Sequence, residues 1–560
     1  LTRSPVATAT GFHRAALFAL LLVTGLVYHG VVRNGFVWDD AHTIANNRSL
    51  DSLTSISRWF LEPETGTSLR DVNYRPVLTA SFAVDVALWG RRPAAFHATN
   101  LAIHLIVTWL VYTLAWRVWR HPGSAFTAAV IVALHPINAE AVNYVSARSS
   151  LLSAAFALAA IAVSQPATGR AAGFYRVASG LALGALALGV KESLVVLPVL
   201  MIVWSRLTSD AGRSWTQSLR GSLPWWGLVG LFLAWRAMVL TGNAPQGVGD
   251  GVWQPVLFAI KLFVASLWSW FVPIGFAVDH GWSWTIAGGE AALLIAAALG
   301  AVGATVALWR WDRRIGWCVM WFWVALLPLA ALPWVSRLTL YQDHRVYLAG
   351  VGLAWASSEM VRRLHHAVAP HPGRRVAAAT LAVTAVAVAI IMISTRTAVW
   401  RDADRLWAHT LAQYPSSVLA RNHQALQWLE AGDIARARDA FEASAALAPD
   451  FAVTHNYLGV AYAREGDIDR AIREFTTALR LSPLFLNARL NLGNAYERTG
   501  QWDLALAAYE QGIPDAPWAV PLMERSAKLL ERMGKPDEAK ARHQKILSLD
   551  PSHPLHKKLN

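Results

Sequence analysis

Cysteine is almost absent. Cys318 stands alone among 560 residues, inside an apolar stretch, so no internal disulfide can form and a secreted disulfide scaffold is excluded. Charge is scarce too: Asp, Glu, Lys and Arg make up 15% of the chain against 55% hydrophobic residues, which excludes a disordered chain and an ordinary soluble enzyme. Acidic residues are the rarer sign, 36 against 50 Lys and Arg. Residues 417–560 hold 18 basic and 18 acidic side chains, so the whole excess of +14 lies in residues 1–416. That part also carries recurrent apolar runs of about 18 residues or more, the length a bilayer core demands. Basic loops between such runs follow the positive-inside rule and do not signal nucleic-acid binding. The 28 Trp suit many interfacial belts, and 560 residues exceed what one core usually organises, so two domains are expected.

The first run, Ala15 to Val32, follows Arg3 and Arg14 and has no small-residue cleavage site after it, so it reads as a retained helix. Further spans are expected near 97–116, 125–145, 149–165, 173–190, 193–205, 224–241, 284–309, 316–335, 346–361 and 376–394, eleven crossings in all. Arg117, Arg120, Arg170, Arg206, Arg213 and Arg220 then fall in cytoplasmic loops. Asp39/Asp40, His135/Glu140 and Lys191/Glu192 gather on the outer side. The segment 255–273, with Lys261 in its middle, is expected to re-enter from outside. A crossing there would strand Arg310, Arg313, Arg314, Arg362, Arg363, Arg374 and Arg375 on the outer side. The N-terminus is then cytoplasmic and everything after residue 394 extracytoplasmic. The expected fold class is all-α: a polytopic membrane domain over 1–394, a connecting half-repeat over 395–416 with Trp407 in its aromatic slot, and a solenoid over 417–560.

The solenoid rests on a repeat. Proline recurs at 415, 449, 483, 517 and 551, glycine at 432, 466, 500 and 534, and alanine at 437, 471, 505 and 539, each in steps of 34. Leu458, Gly459, Tyr462, Ala471, Phe475, Ala478 and Pro483 give the tetratricopeptide pattern almost complete. Its small residues let two helices approach, and its aromatics fill the gap between hairpins. The next repeat keeps Leu492, Gly493, Tyr496, Ala505, Tyr509 and Pro517. The end repeats are looser, with Lys528 and Glu531 read in the glycine and tyrosine slots of the last. Four repeats are expected, offering a concave groove to peptide partners; the bland alternative is a stiffening or dimerising element.

Ionisable groups near or inside membrane spans need a reason, since each costs about 2.5–3.5 kcal/mol at the bilayer centre. Asp39 and Asp40 follow the first span, and adjacent carboxylates repel, which raises their pKa and suits a general base. A helix-capping pair is the alternative. His97, Asn100 and His104 share one helix face. His135, Glu140, Arg148, Lys191, Glu192, Arg236 and the run Asp343, His344, Arg345 before Tyr347 stand near the ends of other spans. Singly, such residues are more often structural pairs or snorkelling side chains; converging from six ends, they mark a site. No ligand spacing is fixed, so no metal is expected, with a divalent ion at Asp39, Asp40 and His135 as the lesser alternative.

Phe36-Val37-Trp38-Asp39-Asp40 with Asn46, Tyr74-Arg75-Pro76-Val77 and Leu88-Trp89-Gly90 resemble the transmembrane and tetratricopeptide-repeat-containing O-mannosyltransferase family. So do Phe96-His97 with Asn100-Leu101 and His104, His135-Pro136-Ile137 with Glu140-Ala141-Val142 and Arg148, and Lys191-Glu192 with Leu197-Pro198. The resemblance covers nearly the whole chain, domain order included. It implies a GT-C membrane glycosyltransferase fold, a lipid-phosphate sugar donor, and inverting transfer to protein hydroxyls on the non-cytoplasmic side. Asp39 matches the family's catalytic acidic position in the first outer loop, with Asp40 beside it where related mannosyltransferases have Glu. Arg148, Lys191, Arg236, Arg345 and Tyr347 are then the residues for the donor phosphate and lipid. Arg75, His97, Asn100, His104, His135, Glu140, Glu192, Asp343 and His344 form the polar wall of the site. The family often has proline shortly after the Tyr347 position, whereas this chain reads Leu348-Ala349-Gly350. The Ala/Arg-rich composition resembles GC-rich bacterial coding, which implies a polyprenyl-phosphate mannose donor and an inner-membrane location. Acceptor proteins in the groove and membrane lipids are the expected partners, and nucleic acid is not. Two other readings stay open: an inactive membrane-anchored scaffold, and a GT-C enzyme with a glycan or lipid acceptor. A transporter fits less well, because the halves show no internal symmetry.

Overall fold

The computed structural model describes residues 5–66, 74–164, 170–209, 214–240, 252–282, 285–334, 341–511 and 519–549. Arg3, Arg213, Pro517 and Pro551 lie outside the described residues. Every regular element among the described residues is helical. The chain divides into two units, one formed by 1–278 with 283–406, the other by 279–282 with 407–560.

In the first unit, eight helices among the described residues are long and apolar enough to cross a membrane. They are Ala15–Arg33, Pro93–Trp119, Val145–Val163, Gly173–Val190, Trp253–Phe271, Gly288–Trp311, Arg313–Trp334 and Pro372–Val399. A ninth is the pair Pro122–Leu134 and Pro136–Asn143, bent by 49°. Pro76, Pro93, Pro122, Pro136 and Pro372 each open a helix, where the missing N–H leaves no bond unmade. Pro136 also explains the bend, since it cannot continue the hydrogen-bond ladder of the preceding arm. Gly288–Trp311 and Pro372–Val399 keep only 6% of their apolar windows buried within the protein. Leu293, Leu299, Leu381 and Val383 point outward from them, a surface that lipid covers. The protein is therefore a polytopic membrane protein. Its buried centre joins Leu110, Leu114, Leu158, Trp321, Phe322 and Trp355.

Among the described residues eight or nine helices meet the length and apolarity of a crossing, which does not confirm the expected count of eleven. Leu197–Thr208 has 12 residues, too few for a bilayer that needs about 20. Trp215–Val239 and Tyr347–Val368 are long, but Arg220 and Arg236 in one and Glu359, Arg362 and Arg363 in the other lower their apolarity. Trp253–Phe271, expected to turn back, is one continuous helix of 19 residues. Its Lys261 does not argue against crossing, because Glu290 of the next helix pairs with it at 2.7 Å. The short apolar helix Pro76–Trp89 was not foreseen.

The second unit contains four helical hairpins: Val418–Glu430 with Ile434–Leu447, Ala452–Glu465 with Ile468–Leu481, Leu486–Arg498 with Trp502–Glu510, and Val520–Arg532 with Pro536–Leu549. Gly432, Gly466, Gly500 and Gly534 stand in the turn of each hairpin with φ between +72° and +93°, a region that side chains disfavour. Leu429, Phe441, Leu458, Phe475 and Leu492 form the continuous core. Arg464 donates to the Leu429 carbonyl at 2.7 Å and Arg498 to the Ala463 carbonyl at 2.9 Å, so equivalent arginines fasten each hairpin to the one before. In the last repeat the register needs correction. Positions 34 beyond Gly493 and Tyr496 are Ala527 and Leu530, both buried, while Lys528 is exposed. The glycine slot therefore keeps a small residue and the tyrosine slot a large one.

The segment Asp279–Trp282 belongs to this second unit. Asp279 accepts from the Ser417 hydroxyl at 2.7 Å, and Ser417 in turn caps the first hairpin by accepting the Ala420 N–H at 3.1 Å. The Ser416 hydroxyl donates to the Gly281 carbonyl at 3.0 Å, and the His280 ring lies 4.9 Å from Tyr414.

A Cβ on Gly459 would stand 2.6 Å from Phe475 Cε1, inside the hairpin core. Gly459→Ala is expected to cost about 1–3 kcal/mol by overpacking. Hydrogen exchange on the full-length protein checks this: peptides from 452–481 should lose protection while those of the membrane half keep theirs.

Candidate functional site

The residues singled out from the sequence separate into a buried frame and a more open cluster. Arg148 is the centre of the frame. It is fully buried, 0% exposed, and pairs with Asp85 at 2.6 Å. Its Nε donates to Asn100 Oδ1 at 2.8 Å, and its two terminal nitrogens donate to the Ser81 carbonyl at 3.2 Å and the Phe96 carbonyl at 3.1 Å. The guanidinium lies 4.8 Å from the Phe82 ring and 5.5 Å from that of Phe96. Each of its nitrogens already has a protein partner, an arrangement for holding helices together rather than for receiving a ligand.

The polar row of the helix Pro93–Trp119 is likewise internal. Asn100 donates to the carbonyls of Tyr144 and Val145 at 3.2 and 3.4 Å. His97 reaches the Gly35 carbonyl at 3.3 Å. His104 lies 3.2 Å from the Ala133 carbonyl, which can only accept, so its other nitrogen accepts a hydrogen bond from the Tyr347 hydroxyl at 2.6 Å. Tyr347 is thereby committed inside the core. His135 stacks on Trp270 at 4.3 Å, donates to the Trp270 carbonyl at 2.9 Å and accepts the Ile137 N–H at 3.3 Å. Among the described residues no three of His, Cys, Asp and Glu form a group that could hold a metal ion, so Asp39, Asp40 and His135 are not brought together as one.

The open cluster begins at Trp38, which has φ +53°, a conformation rarely held by a bulky residue and one that recurs at functional sites. Asp39 next to it is exposed, and Asp40 is buried. Asp40 accepts from the Ser146 N–H at 2.8 Å, the Ser146 hydroxyl at 2.6 Å and the Val37 N–H at 3.2 Å. Burial pushes its carboxyl up to about 7 in spite of those bonds, and the neighbouring Asp39 charge adds to the rise. Tyr144 lies within electrostatic reach of both carboxylates. Its ring stacks on Trp38 at 5.6 Å and on Trp400 at 5.3 Å, with His344 edge-on at 6.2 Å.

Behind these rings lies a buried ionic group. His344 Nδ1 meets Glu140 at 2.6 Å, and Arg396 pairs with Asp343 at 3.0 Å and approaches Glu140 at 3.8 Å. Burial pushes the Asp343 carboxyl well above its usual range against the pull of Arg396, with Glu140 reinforcing the rise. Burial and the charges of Lys191, Arg345 and Arg75 hold His344 well below the usual imidazole range, and its Nδ1 shares a hydrogen bond with Glu140.

Three cations lie within electrostatic reach of one another. Arg75 makes a two-point pair with Glu192 at 2.9 and 3.1 Å. Burial would raise the Glu192 carboxyl, but this guanidinium outweighs it and keeps Glu192 ionised. Lys191 donates to Ser150 at 2.7 Å, and burial followed by repulsion from Arg75 and Arg345 brings its amine down to about 7. Arg345 donates to Gln342 at 3.1 Å and is lowered to about 10 by burial and by Arg75. Arg236 donates to the Tyr74 carbonyl at 3.0 Å, and the adjacent Trp235 donates to the Tyr74 hydroxyl at 2.7 Å. Mutual repulsion among cations is relieved by an anion between them, which makes this cluster a candidate phosphate site.

Sequence reasoning missed Asp85, Arg396 and the three-ring stack. Asp85 is the single ionisable residue in the apolar run 76–89, and a lone charge in such a helix implies a partner. Arg396 stands similarly at the end of a 28-residue apolar helix. Nothing in the local sequence announces that Trp38, Tyr144 and Trp400 meet.

Fold and site define a polytopic helical membrane protein with a tetratricopeptide solenoid and a polar cluster in its membrane unit. A tetratricopeptide-repeat family model matches residues 458–519. The chain is 36% identical over 134 residues to the protein O-mannosyl-transferase TMTC1 of Mus musculus, which takes in 23% of this chain and 14% of the relative. It is 30% identical over 145 residues to TMTC3 of Mus musculus, covering 25% of this chain and 16% of the relative. With TMTC1 of Homo sapiens the identity is 33% over 150 residues, 25% of this chain and 17% of the relative. The matched stretches thus span about a sixth of each of these relatives, and they bear out the resemblance read from the sequence. Among solved structures, the crystal structure of MamA has a TM-score of 0.24 and 23% identity, covering 26% of this chain and 86% of that one. A thermophilic TPR protein from Thermus thermophilus has a TM-score of 0.24 and 23% identity, covering 32% and 93%. Likenesses this slight say nothing about function.

Removing one partner of a buried pair leaves the other charge uncompensated, which costs about 3–5 kcal/mol. Asp85→Asn, which strips Arg148 of its counter-charge, is therefore expected to lower the thermal unfolding temperature of the detergent-solubilised protein sharply. Asp39→Asn, at an exposed position, should leave it within a degree or two of wild type.

Proposed function

We propose that the membrane unit transfers a sugar from a lipid-phosphate donor to a hydroxyl of a protein acceptor, as a GT-C type glycosyltransferase. The names of the relatives support mannose as the sugar and protein as the acceptor. The observation that carries the reading is that Tyr144 lies within electrostatic reach both of the exposed carboxylate Asp39 and of Arg345, which belongs with Arg75 and Lys191 to a cluster of mutually repelling cations.

The reaction is a single displacement. Asp39 takes the proton of a Ser or Thr hydroxyl as its oxygen bonds to the anomeric carbon. The bond from that carbon to the phosphate oxygen breaks, and its electron pair leaves with the polyprenyl phosphate. The configuration inverts. The leaving group is already an anion, so it needs stabilising charge and no proton; the guanidinium and ammonium groups supply that charge. Asp40, fastened by Ser146 and Val37, sets the position of Asp39 and adds negative charge beside it. No metal has a part in this scheme. The catalytic face lies on the non-cytoplasmic side, and the solenoid delivers the acceptor polypeptide. A pocket of about 400 Å³ on the solenoid, lined by Val460, Arg464, Phe475, Asn491, Asn494 and Arg498, is suited to an extended peptide.

Membranes holding wild type or Asp39→Asn, supplied with labelled polyprenyl-phosphate mannose and envelope proteins, test the reading. Loss of a general base costs about 10²–10⁴-fold, so label in lipid-extracted protein should fall to background in the variant. Label that persists in the variant, or that enters only lipid or glycan, overturns the reading.

The Lys191 amine titrates near 7, so its positive charge fades as pH rises above that value. Affinity for bare polyprenyl phosphate should therefore fall between pH 7 and pH 9 in wild type, and Lys191→Arg, which stays charged, should flatten the fall.

A further inference from the structure

We infer that Trp38 is the sugar-recognising residue of the site. Its indole is the surface against which the pyranose ring carried by the lipid phosphate packs. The inference rests on the donor reading above and adds the part of the donor that the cations cannot see.

Three independent observations lead to it. The first is backbone: Trp38 holds φ +53°, a conformation that glycine or asparagine would adopt at far less cost. A turn needed only to place the next two carboxylates would be served better by a small residue, so the indole itself must be wanted there. The second is packing. The Trp38 ring lies nearly parallel to Tyr144, at 14°, and Tyr144 to Trp400, at 25°, with centroids 5.6 and 5.3 Å apart. Tyr144 and Trp400 are each only 2% exposed, whereas Trp38 keeps part of its surface accessible. Two buried rings thus back a partly open one and fix its orientation before any ligand arrives. The third is position. Trp38 directly precedes the exposed Asp39, and Tyr144 lies within the field of both Asp39 and Arg345. A ring seated on Trp38 therefore stands next to the base that takes the acceptor proton and near a cation that holds the phosphate.

The chemistry fits a sugar. A pyranose presents a face of C–H groups with slight positive charge, and the face of an indole is negative. The sugar hydroxyls radiate from the ring edge, where carboxylates can accept from them. Such a contact reads the shape of the sugar and contributes nothing toward the lipid phosphate alone.

Binding of two probes by the purified full-length protein tests the inference: polyprenyl-phosphate mannose and bare polyprenyl phosphate. Trp38→Asn and Trp38→Gly both tolerate positive φ, so the turn carrying Asp39 and Asp40 persists. They are expected to weaken binding of the sugar-bearing lipid by about threefold to tenfold, leaving bare polyprenyl phosphate within twofold of wild type. Trp38→Phe, which keeps a ring, should retain most of the preference. Equal losses for both probes would assign Trp38 to structure alone, and unchanged binding of both would remove it from the site; either result overturns the inference. If wild type binds neither probe, the donor reading itself fails and the role of Trp38 falls with it.

Discussion

One buried guanidinium sets the geometry of the membrane unit. Arg148 has no access to water, and a cation there is tolerable only because Asp85 lies 2.6 Å away and three further oxygens, from Asn100, Ser81 and Phe96, accept from its nitrogens. Those partners come from Pro76–Trp89 and Pro93–Trp119, so three helices are fixed in register by one side chain. The constraint then runs outward. Asn100, held by Arg148, donates to the Tyr144 and Val145 carbonyls; the next residue, Ser146, donates twice to Asp40; and Asp40 accepts from Val37. The loop bearing Trp38 and Asp39 is thus tied by a continuous line of hydrogen bonds to an ion pair in the core. That explains how a short irregular segment can hold an exposed carboxylate in a fixed position.

Much of this was legible from residue types. The apolar runs gave most of the membrane helices, and the 34-residue step gave the four hairpins, because both signals are periodic and local. The polar constellation was recognisable as a set, since charge in an apolar segment always calls for a partner. Its division of labour was not. Arg148 and Lys191 look alike in sequence, yet one is saturated by protein oxygens and the other faces two repelling cations. His97, His104 and His135 read as site residues because imidazoles in membrane helices are rare, but each is engaged by the protein itself, through backbone carbonyls, the Ile137 N–H or the Tyr347 hydroxyl. The partner of a buried group is set by packing over separations of 50 to 250 residues, and no local pattern encodes that. The misplaced register at Lys528 has a simpler cause: a looser terminal repeat offers no glycine to count from, and burial of Ala527 and Leu530 settles it.

The two charge clusters behave differently because of their surroundings. Glu140, Asp343, His344 and Arg396 are paired with one another in a dry interior, where burial outweighs the pull of Arg396 on the Asp343 carboxyl. Arg75, Lys191 and Arg345 repel one another, with Glu192 and Glu140 as nearby counter-charges. That difference in charge is what makes the second cluster the candidate for an anionic ligand.

The clasp formed by Asp279–Trp282 has a consequence for how the solenoid can vary. The Ser417 hydroxyl that caps its first hairpin also donates to Asp279, a residue that precedes it by more than a hundred positions, so that end is stitched to a distant part of the gene. The later hairpins depend only on their neighbours, through the arginine and core contacts that recur every 34 residues. Duplication or loss of repeats is therefore tolerated downstream of the first hairpin and penalised at it. Lineages that lengthen or shorten this array should do so from its far end, with Asp279, Gly281 and Ser417 inherited as a set.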